Sequence, residues 1–306
     1  MRAIVCTKFG SPEFLELREV DNPIPKGNEV LIKVHASTVT IGDVIFQKLR
    51  LPLWLIFRLF GMKRKKIPGH ELAGIIEAVG NDVKQFKEGD PVYGTTTGLS
   101  FGANAEYVCV PEEWKMGVLA LKPTNMTYKE AAAVPVGGMT ALELLRNGNI
   151  QSRQKVLIYG ASGSVGTYAV QLAKYHFNAE VTGVCSTANL ELVKSLGADT
   201  VIDYTQEDFT QNGETYDVIF DAVRKISAKS CKNSLANDGM FLSVSSSTSE
   251  TKEKLESLTK LIEDGKIKAA IDRCYPLGQV AKAHRYVEKG HKKGNVVIKV
   301  MQNIKS

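Results

Sequence analysis

The chain has 306 residues, of which 43% are hydrophobic and 24% charged, and its formal net charge at pH 7 is +6. These values are typical of a globular protein and exclude a disordered or fibrous chain. At roughly 150 residues per domain the length predicts two domains, and no apolar run approaches the roughly 18 residues of a membrane span. The strand-like start, residues 1–5, lacks the apolar region and cleavage site of a signal peptide, so we expect a cytoplasmic protein.

The charged and sulfur-containing residues predict no nucleic-acid or zinc-ribbon site. The five cysteines are scattered and form no CxxC pair. One basic block, residues 63–66, is interpreted as a solvated loop rather than an anion site. With a modest net charge and no aromatic platform beside this block, we expect no nucleic-acid partner.

The first 122 residues are rich in strands and turns. Apolar or β-branched runs at Val30–Val34, Ala73–Gly80 and Pro91–Gly94 are bounded by glycine and other turn residues. They predict a compact and irregular β-rich domain.

From residue 123 to residue 265, apolar strands alternate with helical periodicity. This alternation predicts crossover units and an α/β fold, a doubly wound parallel sheet of the Rossmann type. The expected strands are 155–159, 180–184, 200–202, 217–221 and 239–243, and the expected helices are 165–177 and 189–196, the latter followed by a C-terminal glycine, Gly197. Beyond residue 265 we expect a strand at 270–272, a helix at 277–288 and a strand at 295–300.

The sharpest motif is a glycine-rich turn between the first of these strands and the first helix. It comprises Gly160, Ala161, Ser162, Gly163, Ser164, Val165 and Gly166. Such a turn brings the backbone close to a pyrophosphate, and the following helix presents N–H groups and the positive end of its dipole. The motif predicts a dinucleotide site.

The end of the next strand favours NADPH over NADH. An NAD enzyme usually carries Asp or Glu here for the ribose 2′-OH, whereas this chain has Ser186, Thr187 and Asn189. No carboxylate is present to repel a 2′-phosphate, although no Arg or Lys stands in the turn either. Lys194 follows one helical turn later, as a phosphate contact or as a surface charge.

A series of landmarks in order along the chain resembles one family. They are Pro68–Gly74, Val79-Gly80, Gly89–Val92, Ala133–Ala141, the glycine-rich turn, Leu196–Asp199 and Val201–Tyr204. The chain is identified as similar to the medium-chain dehydrogenase/reductase superfamily, in its zinc-free quinone oxidoreductase (zeta-crystallin-like) branch. The resemblance implies a GroES-like catalytic domain over 1–122, to which 266–306 return, a Rossmann domain over 123–265, and a homodimer.

The zinc-free branch is indicated by which of the family's zinc ligands this chain retains. The resemblance places its two zinc-ligating cysteines at Thr40 and near Val136, so that only His70 is kept. A catalytic zinc needs about three protein ligands, and we therefore expect no metal. His70 is then a hydrogen-bonded or substrate-facing imidazole.

Without a Lewis acid, reduction of an already activated acceptor is the easiest chemistry. The resemblance implies hydride transfer from NADPH to a quinone or α,β-unsaturated ketone, a small hydrophobic electrophile, beside Thr40, Asp43, His70 and Thr140. Branch members often carry Asn where Thr40 stands, and Asp43 is either a catalytic group or a structural turn carboxylate. The alternative functions are a zinc-free NAD(P)-dependent alcohol or aldehyde reductase and an NADPH-binding protein without turnover.

Further cofactor contacts are implied by the resemblance. They are Tyr204, Ala222, Val223, Ser243, Val244 and Ser245, with Lys293 as a contact or a solvated charge. Family members often have Gly where Arg224 stands.

The segment Gln47–Lys66 combines many apolar side chains with the basic block. We consider a lid over the substrate, an anchor on anionic lipid and a locally packed helix as its alternatives.

Overall fold

The computed structural model describes residues 1–48, 66–100 and 102–301. These residues form two compact units. The first contains the described residues within 1–135, 250–256 and 271–301, and the second contains residues 136–249 and 257–270. The three alternatives for Gln47–Lys66 concern residues 49–65, which lie outside the described residues.

The elements are numbered in chain order. The strands are β1 (Arg2–Cys6), β2 (Leu15–Glu19), β3 (Glu29–Thr38), β4 (Glu71–Val79), β5 (Pro91–Thr95), β6 (Tyr107–Pro111), β7 (Leu119–Leu121), β8 (Lys155–Tyr159), β9 (Glu180–Cys185), β10 (Thr200–Asp203), β11 (Tyr216–Asp221), β12 (Leu235–Ser243), β13 (Ile271–Pro276) and β14 (Asn295–Lys299). The helices are α1 (Ile41–Lys48), α2 (Tyr128–Ala132), α3 (Pro135–Asn147), α4 (Ser164–Tyr175), α5 (Leu190–Ser195), α6 (Lys252–Glu263) and α7 (Val280–Glu288).

The first unit is built on a seven-stranded sheet with β3 near its centre. The strand order is β13-β14-β3-β4-β5-β7, and β6 also pairs with β3. Alternate residues of β3, including Val30, Ile32 and Val34, are fully buried, which is the period-two pattern of a strand with one face on a core. The same core includes Val280 and Val287 of α7.

The second unit contains a five-stranded sheet in which every pairing is parallel. Its strand order is β10-β9-β8-β11-β12, so the order reverses between β8 and β11. That arrangement is five strands of the doubly wound order, in which ligands bind at the carboxyl edge beside the reversal. The predicted α/β class, with a parallel sheet and a β-rich unit, is confirmed.

The sequence-based bounds agree with these elements to within a few residues, with differences at the termini. The expected helix from Asn189 begins as a 3-10 turn over Thr187–Asn189, and the expected strand at 239–243 starts earlier, at Leu235. Gly197 has φ +107°, as expected for a glycine that ends a helix. None of the helices within the described ranges combines the length and apolar character needed to cross a bilayer.

Candidate functional site

Thr40 and Asp43 begin helix α1 with reciprocal hydrogen bonds. The Asp43 N–H donates to Thr40 Oγ1 at 3.1 Å, and the Thr40 N–H donates to Asp43 Oδ2 at 2.8 Å. The Thr40 hydroxyl also donates to Oδ2, at 2.7 Å. This is the capping-box arrangement with Asp as the acidic partner, and it explains the spacing of the two residues. Asp43 thus caps α1 through Oδ2, while its Oδ1 atom has another partner.

That partner is His70, which stands immediately before β4. Its Nδ1–H donates to Asp43 Oδ1 at 2.6 Å. Because an ionised carboxylate only accepts, the ring proton is fixed on Nδ1, and Nε2 is the atom that accepts or, after protonation, donates. The Asp43 side chain is 1% exposed and that of His70 is 17% exposed. The pair thus presents one imidazole edge above a buried carboxylate.

The electrostatics of this pair favour an ionised Asp43. Burial raises the pKa of Asp43, but the charges of His70 and His284 and the hydrogen bonds from His70 and Thr40 outweigh it and hold the pKa below its ordinary value. The carboxylate is therefore charged throughout the physiological range and keeps His70 in one tautomer.

His284, on α7, was not selected by the sequence analysis. It is fully buried, and neither ring nitrogen has a hydrogen-bond partner among the described residues. Burial lowers the pKa of His284, although the charge of Asp43 opposes this. The sequence contained a signal for the burial of His284, because it shares the spacing of one helical face with Val280, Ala283 and Val287. The structure buries all four side chains.

The glycine-rich turn of the second unit has the geometry that a pyrophosphate requires. Gly160 has φ +80°, and its N–H donates to Val184 O at 3.0 Å. A Cβ on Gly166 would lie 2.1 Å from Gly160 O, whereas the nearest atom to a Cβ on Gly163 would be 3.4 Å away. Gly166 is thus needed for close packing of α4, and Gly163 leaves an open approach to the turn. The first N–H groups of α4 have no acceptor within the helix.

Hydroxyl and amide groups cluster at the ends of β8 and β9. Asn189 Nδ2 donates to Ser162 Oγ at 3.2 Å and to Ser186 Oγ at 3.1 Å. The Thr187 hydroxyl instead donates to Asp203 Oδ2 at 2.5 Å, so this nearby carboxylate is already hydrogen-bonded. Asn189 thus ties Ser162 to Ser186, and both serine hydroxyl groups can still donate a hydrogen bond.

The other predicted cofactor residues lie in loops at the carboxyl edge of the same sheet. Ala222 and Val223 follow β11, where the Val223 N–H donates to Asp221 Oδ1 at 3.0 Å. Ser243 ends β12, and Val244 and Ser245 follow it, the Val244 N–H donating to Asp221 O at 3.1 Å. Tyr204 follows β10 and is 52% exposed.

Two further residues from the sequence analysis lie on different units. Thr140 is part of α3 in the second unit, and Lys293 is an exposed residue of the first unit whose N–H donates to Asp272 Oδ2 at 3.2 Å. Within residues 1–48, 66–100 and 102–301, no group of three or more His, Cys, Asp or Glu residues has the geometry to hold a metal ion.

A separate cavity of about 540 Å³ in the first unit is lined by apolar side chains that include Val20, Ile24 and Val108. None of the predicted site residues lines it.

Comparison with known proteins places both units in one family. The model for the alcohol dehydrogenase GroES-like domain matches residues 26–122, and that for the zinc-binding dehydrogenase matches residues 164–271. The chain is 35% identical over 316 residues to a 2-methylene-furan-3-one reductase of Solanum lycopersicum, a match that covers 97% of this chain and 79% of that protein. It is 33% identical over 319 residues to the chloroplastic NADPH-dependent alkenal/one oxidoreductase of Arabidopsis thaliana, with the same two coverages.

A solved structure agrees with these relatives. The quinone oxidoreductase from Coxiella burnetii superposes with a TM-score of 0.81 at 26% identity, covering 98% of this chain and 99% of that chain. The sequence similarity therefore extends over nearly the whole chain and the fold is shared. The expected membership is confirmed, and the chain belongs to the medium-chain dehydrogenase/reductase superfamily, among its quinone and alkenal oxidoreductases.

Proposed function

We propose that this protein is an NADPH-dependent oxidoreductase that transfers hydride to a quinone or an α,β-unsaturated ketone without zinc. The observation that carries the proposal is the set of hydrogen bonds made by the Thr40 side chain. Its hydroxyl caps α1 and bonds to Asp43, at the position where the family resemblance expects a zinc-ligating cysteine in the metal-dependent enzymes. The names of the relatives, which are reductases of alkenals and related carbonyl compounds, support this class of acceptor.

The second unit carries the groups that would hold NADPH. The open approach at Gly163 and the N-terminus of α4 suit the pyrophosphate. Ser162 and Ser186, whose oxygens accept from Asn189 Nδ2, offer their hydroxyl groups as hydrogen-bond donors to a 2′-phosphate, and the Asp203 carboxylate is held by Thr187. When bound, NADPH supplies the hydride.

The first unit carries the groups that would handle the proton. As hydride reaches the acceptor, negative charge grows on its carbonyl oxygen. Protonated His70 donates from Nε2 to that oxygen, while Asp43 holds the ring by Nδ1 and stabilises the cation. Thr40 fixes Asp43 through the helix cap, so the three residues form one orienting chain.

The proposal is tested by mixing the chelator-treated protein with NADPH and either 9,10-phenanthrenequinone or but-3-en-2-one, and following the absorbance of the reduced nicotinamide. We expect rapid oxidation of NADPH, slower oxidation of NADH, and no gain on addition of Zn²⁺. Activity that needs Zn²⁺, or that favours simple aldehydes over both acceptors, would contradict the proposal. Tight binding of NADPH without oxidation by any acceptor would point to a protein that does not turn over.

We also propose a homodimer in the cytoplasm. The five cysteines are scattered along the chain and form no CxxC pair, which fits a reducing compartment. The dimer is proposed from the habit of the family, and its mass in solution tests it.

A further inference from the structure

Arg224, in the loop after β11, has a backbone conformation that disfavours its side chain. Across the described ranges, four non-glycine residues have positive φ, namely Asn149, Arg153, Asn178 and Arg224, the last at 58°. Asn tolerates this region because its short side chain bonds locally, whereas Arg has no such compensation. A residue held in a disfavoured conformation at a ligand-binding edge is a reason to look for a role.

The Arg224 side chain connects two loops at the carboxyl edge of the parallel sheet. Its Nη2 donates to Val244 O at 3.1 Å, which joins the loop after β11 to the loop after β12. The neighbouring residue, Val223, lies against the glycine-rich turn, since a Cβ on Gly160 would be 2.5 Å from Val223 Cγ1. Three loops of this edge are therefore held in one arrangement.

The strand order tells which part of a dinucleotide these loops would face. In a doubly wound sheet each half of the sheet binds one mononucleotide, and the pyrophosphate crosses at the reversal. The hydroxyl cluster of Ser162, Ser186 and Asn189 belongs to the β8-β9-β10 half, which takes the adenosine end. Arg224 and Val244 belong to the β11-β12 half, which takes the nicotinamide end.

We propose that Arg224 is a positioning residue that joins the loops after β11 and β12 and thereby shapes the nicotinamide side of the cofactor site. This inference rests on the proposed NADPH-dependent function. It assigns to Arg224 an effect on the nicotinamide half alone, which a general structural role would not produce.

The test uses R224G, which accepts φ near 58° without strain but removes the guanidinium, and R224K, which restores one donor on a flexible chain. The matched control is R153G. Arg153 has a similar φ of 69°, but it lies before β8, whereas the glycine-rich turn follows the other end of β8. Each protein is titrated with NADPH and with 2′,5′-ADP, which carries the adenosine half only, and hydride transfer is followed in a single turnover.

We expect R224G to weaken NADPH binding or slow hydride transfer by about three- to tenfold, the range expected for one lost hydrogen bond, with 2′,5′-ADP binding unchanged. R224K should recover part of this loss, and R153G should match the wild type in all three measurements. Neither glycine variant should melt at a lower temperature than the wild type. The inference is overturned if R224G equals the wild type, or if it loses both ligands equally. If the wild type itself binds neither ligand, the proposed function fails instead.

Discussion

At the scale of single residues, Asp43 divides its two carboxylate oxygens between a helix terminus and an imidazole. Oδ2 accepts from Thr40 and so fixes the start of α1, while Oδ1 accepts from His70 Nδ1 at 2.6 Å. The resemblance to the family located all three residues, but their hydrogen bonds depend on the approach of β4 to α1. That approach is a tertiary contact, and no local pattern in the sequence encodes it. The backbone conformation of Arg224 could not be predicted from the sequence either, because arginine rarely adopts a φ near 58°.

The residue-scale prediction concerns proton donation. We expect H70Q to lower kcat for an enone acceptor by about a hundredfold, the lower end of the range for general acid catalysis. D43N should also lower kcat, because its one amide oxygen cannot accept from both His70 Nδ1 and the Thr40 N–H, and a neutral amide no longer stabilises the imidazolium. Steady-state kinetics across pH 5 to 9 checks both variants. T40S, which keeps the hydroxyl of the cap, is the control and should retain wild-type kcat; equal kcat in H70Q and the wild type would remove His70 from the proposed mechanism.

At the scale of elements, periodicity and turn residues predicted the second unit well. The observed bounds of β8, Lys155–Tyr159, are the predicted ones. A short continuous apolar run between turn residues is typical of a buried strand. Helix α3 was not predicted, since Gly137 and Gly138 within it lower its intrinsic helix propensity. Pro135 at its first position was the signal that could have revealed it. The bounds of β12 were also incomplete, because its pairing with β11 shifts register between Tyr216 and Val218.

The element-scale prediction concerns the turn between β8 and α4. We expect G166A to destabilise the protein by about 2 kcal/mol, because its Cβ would meet the backbone oxygen of Gly160 at 2.1 Å. G163A should cost less than about 1 kcal/mol, since its Cβ makes only an ordinary contact. Chemical denaturation measures both costs.

The same pair of variants separates folding from cofactor binding. G163A adds a methyl group in the approach expected for the pyrophosphate, so we expect NADPH affinity to fall by at least about tenfold while the fold is kept. Wild-type NADPH affinity in G163A would show that the cofactor does not approach this turn.

At the scale of the whole molecule, the buried His284, the half-buried His35 and the more exposed His176 make stability depend on pH. Burial is the main cause that lowers the pKa values of His35, His176 and His284 in the folded chain. A lowered pKa in the folded chain means that the unfolded chain binds protons more tightly. The contribution of these histidines to the free energy of unfolding is therefore full above their pKa in the unfolded chain, about 6.5, and decreases as the pH falls below it. The fully buried His284 contributes at most about 1.4 kcal/mol per pH unit, and the more exposed His176 contributes less.

We therefore expect the free energy of unfolding to decrease from pH 7 to pH 5, and H284L to reduce that slope. His284 is the sharpest choice, because both of its ring nitrogens are buried without a partner among the described residues. V287A is the control on the same helix, and it should lower stability by about 2 kcal/mol at every pH, since it removes apolar contacts and no titrating group. Urea unfolding at a series of pH values gives the slopes; a wild-type slope in H284L would exclude His284 as a contributor.

The sheet of the first unit has a consequence for how the protein is made. Strand β3 is synthesised early, yet one of its partners is β14, which begins at Asn295. The nascent first unit therefore waits, with part of an edge of β3 unpaired, while the ribosome adds the whole of the second unit. An unpaired edge is a template for association with another chain, so translation that stops before β14 yields a product prone to aggregate. The second unit ends at residue 270 and can fold on the ribosome first.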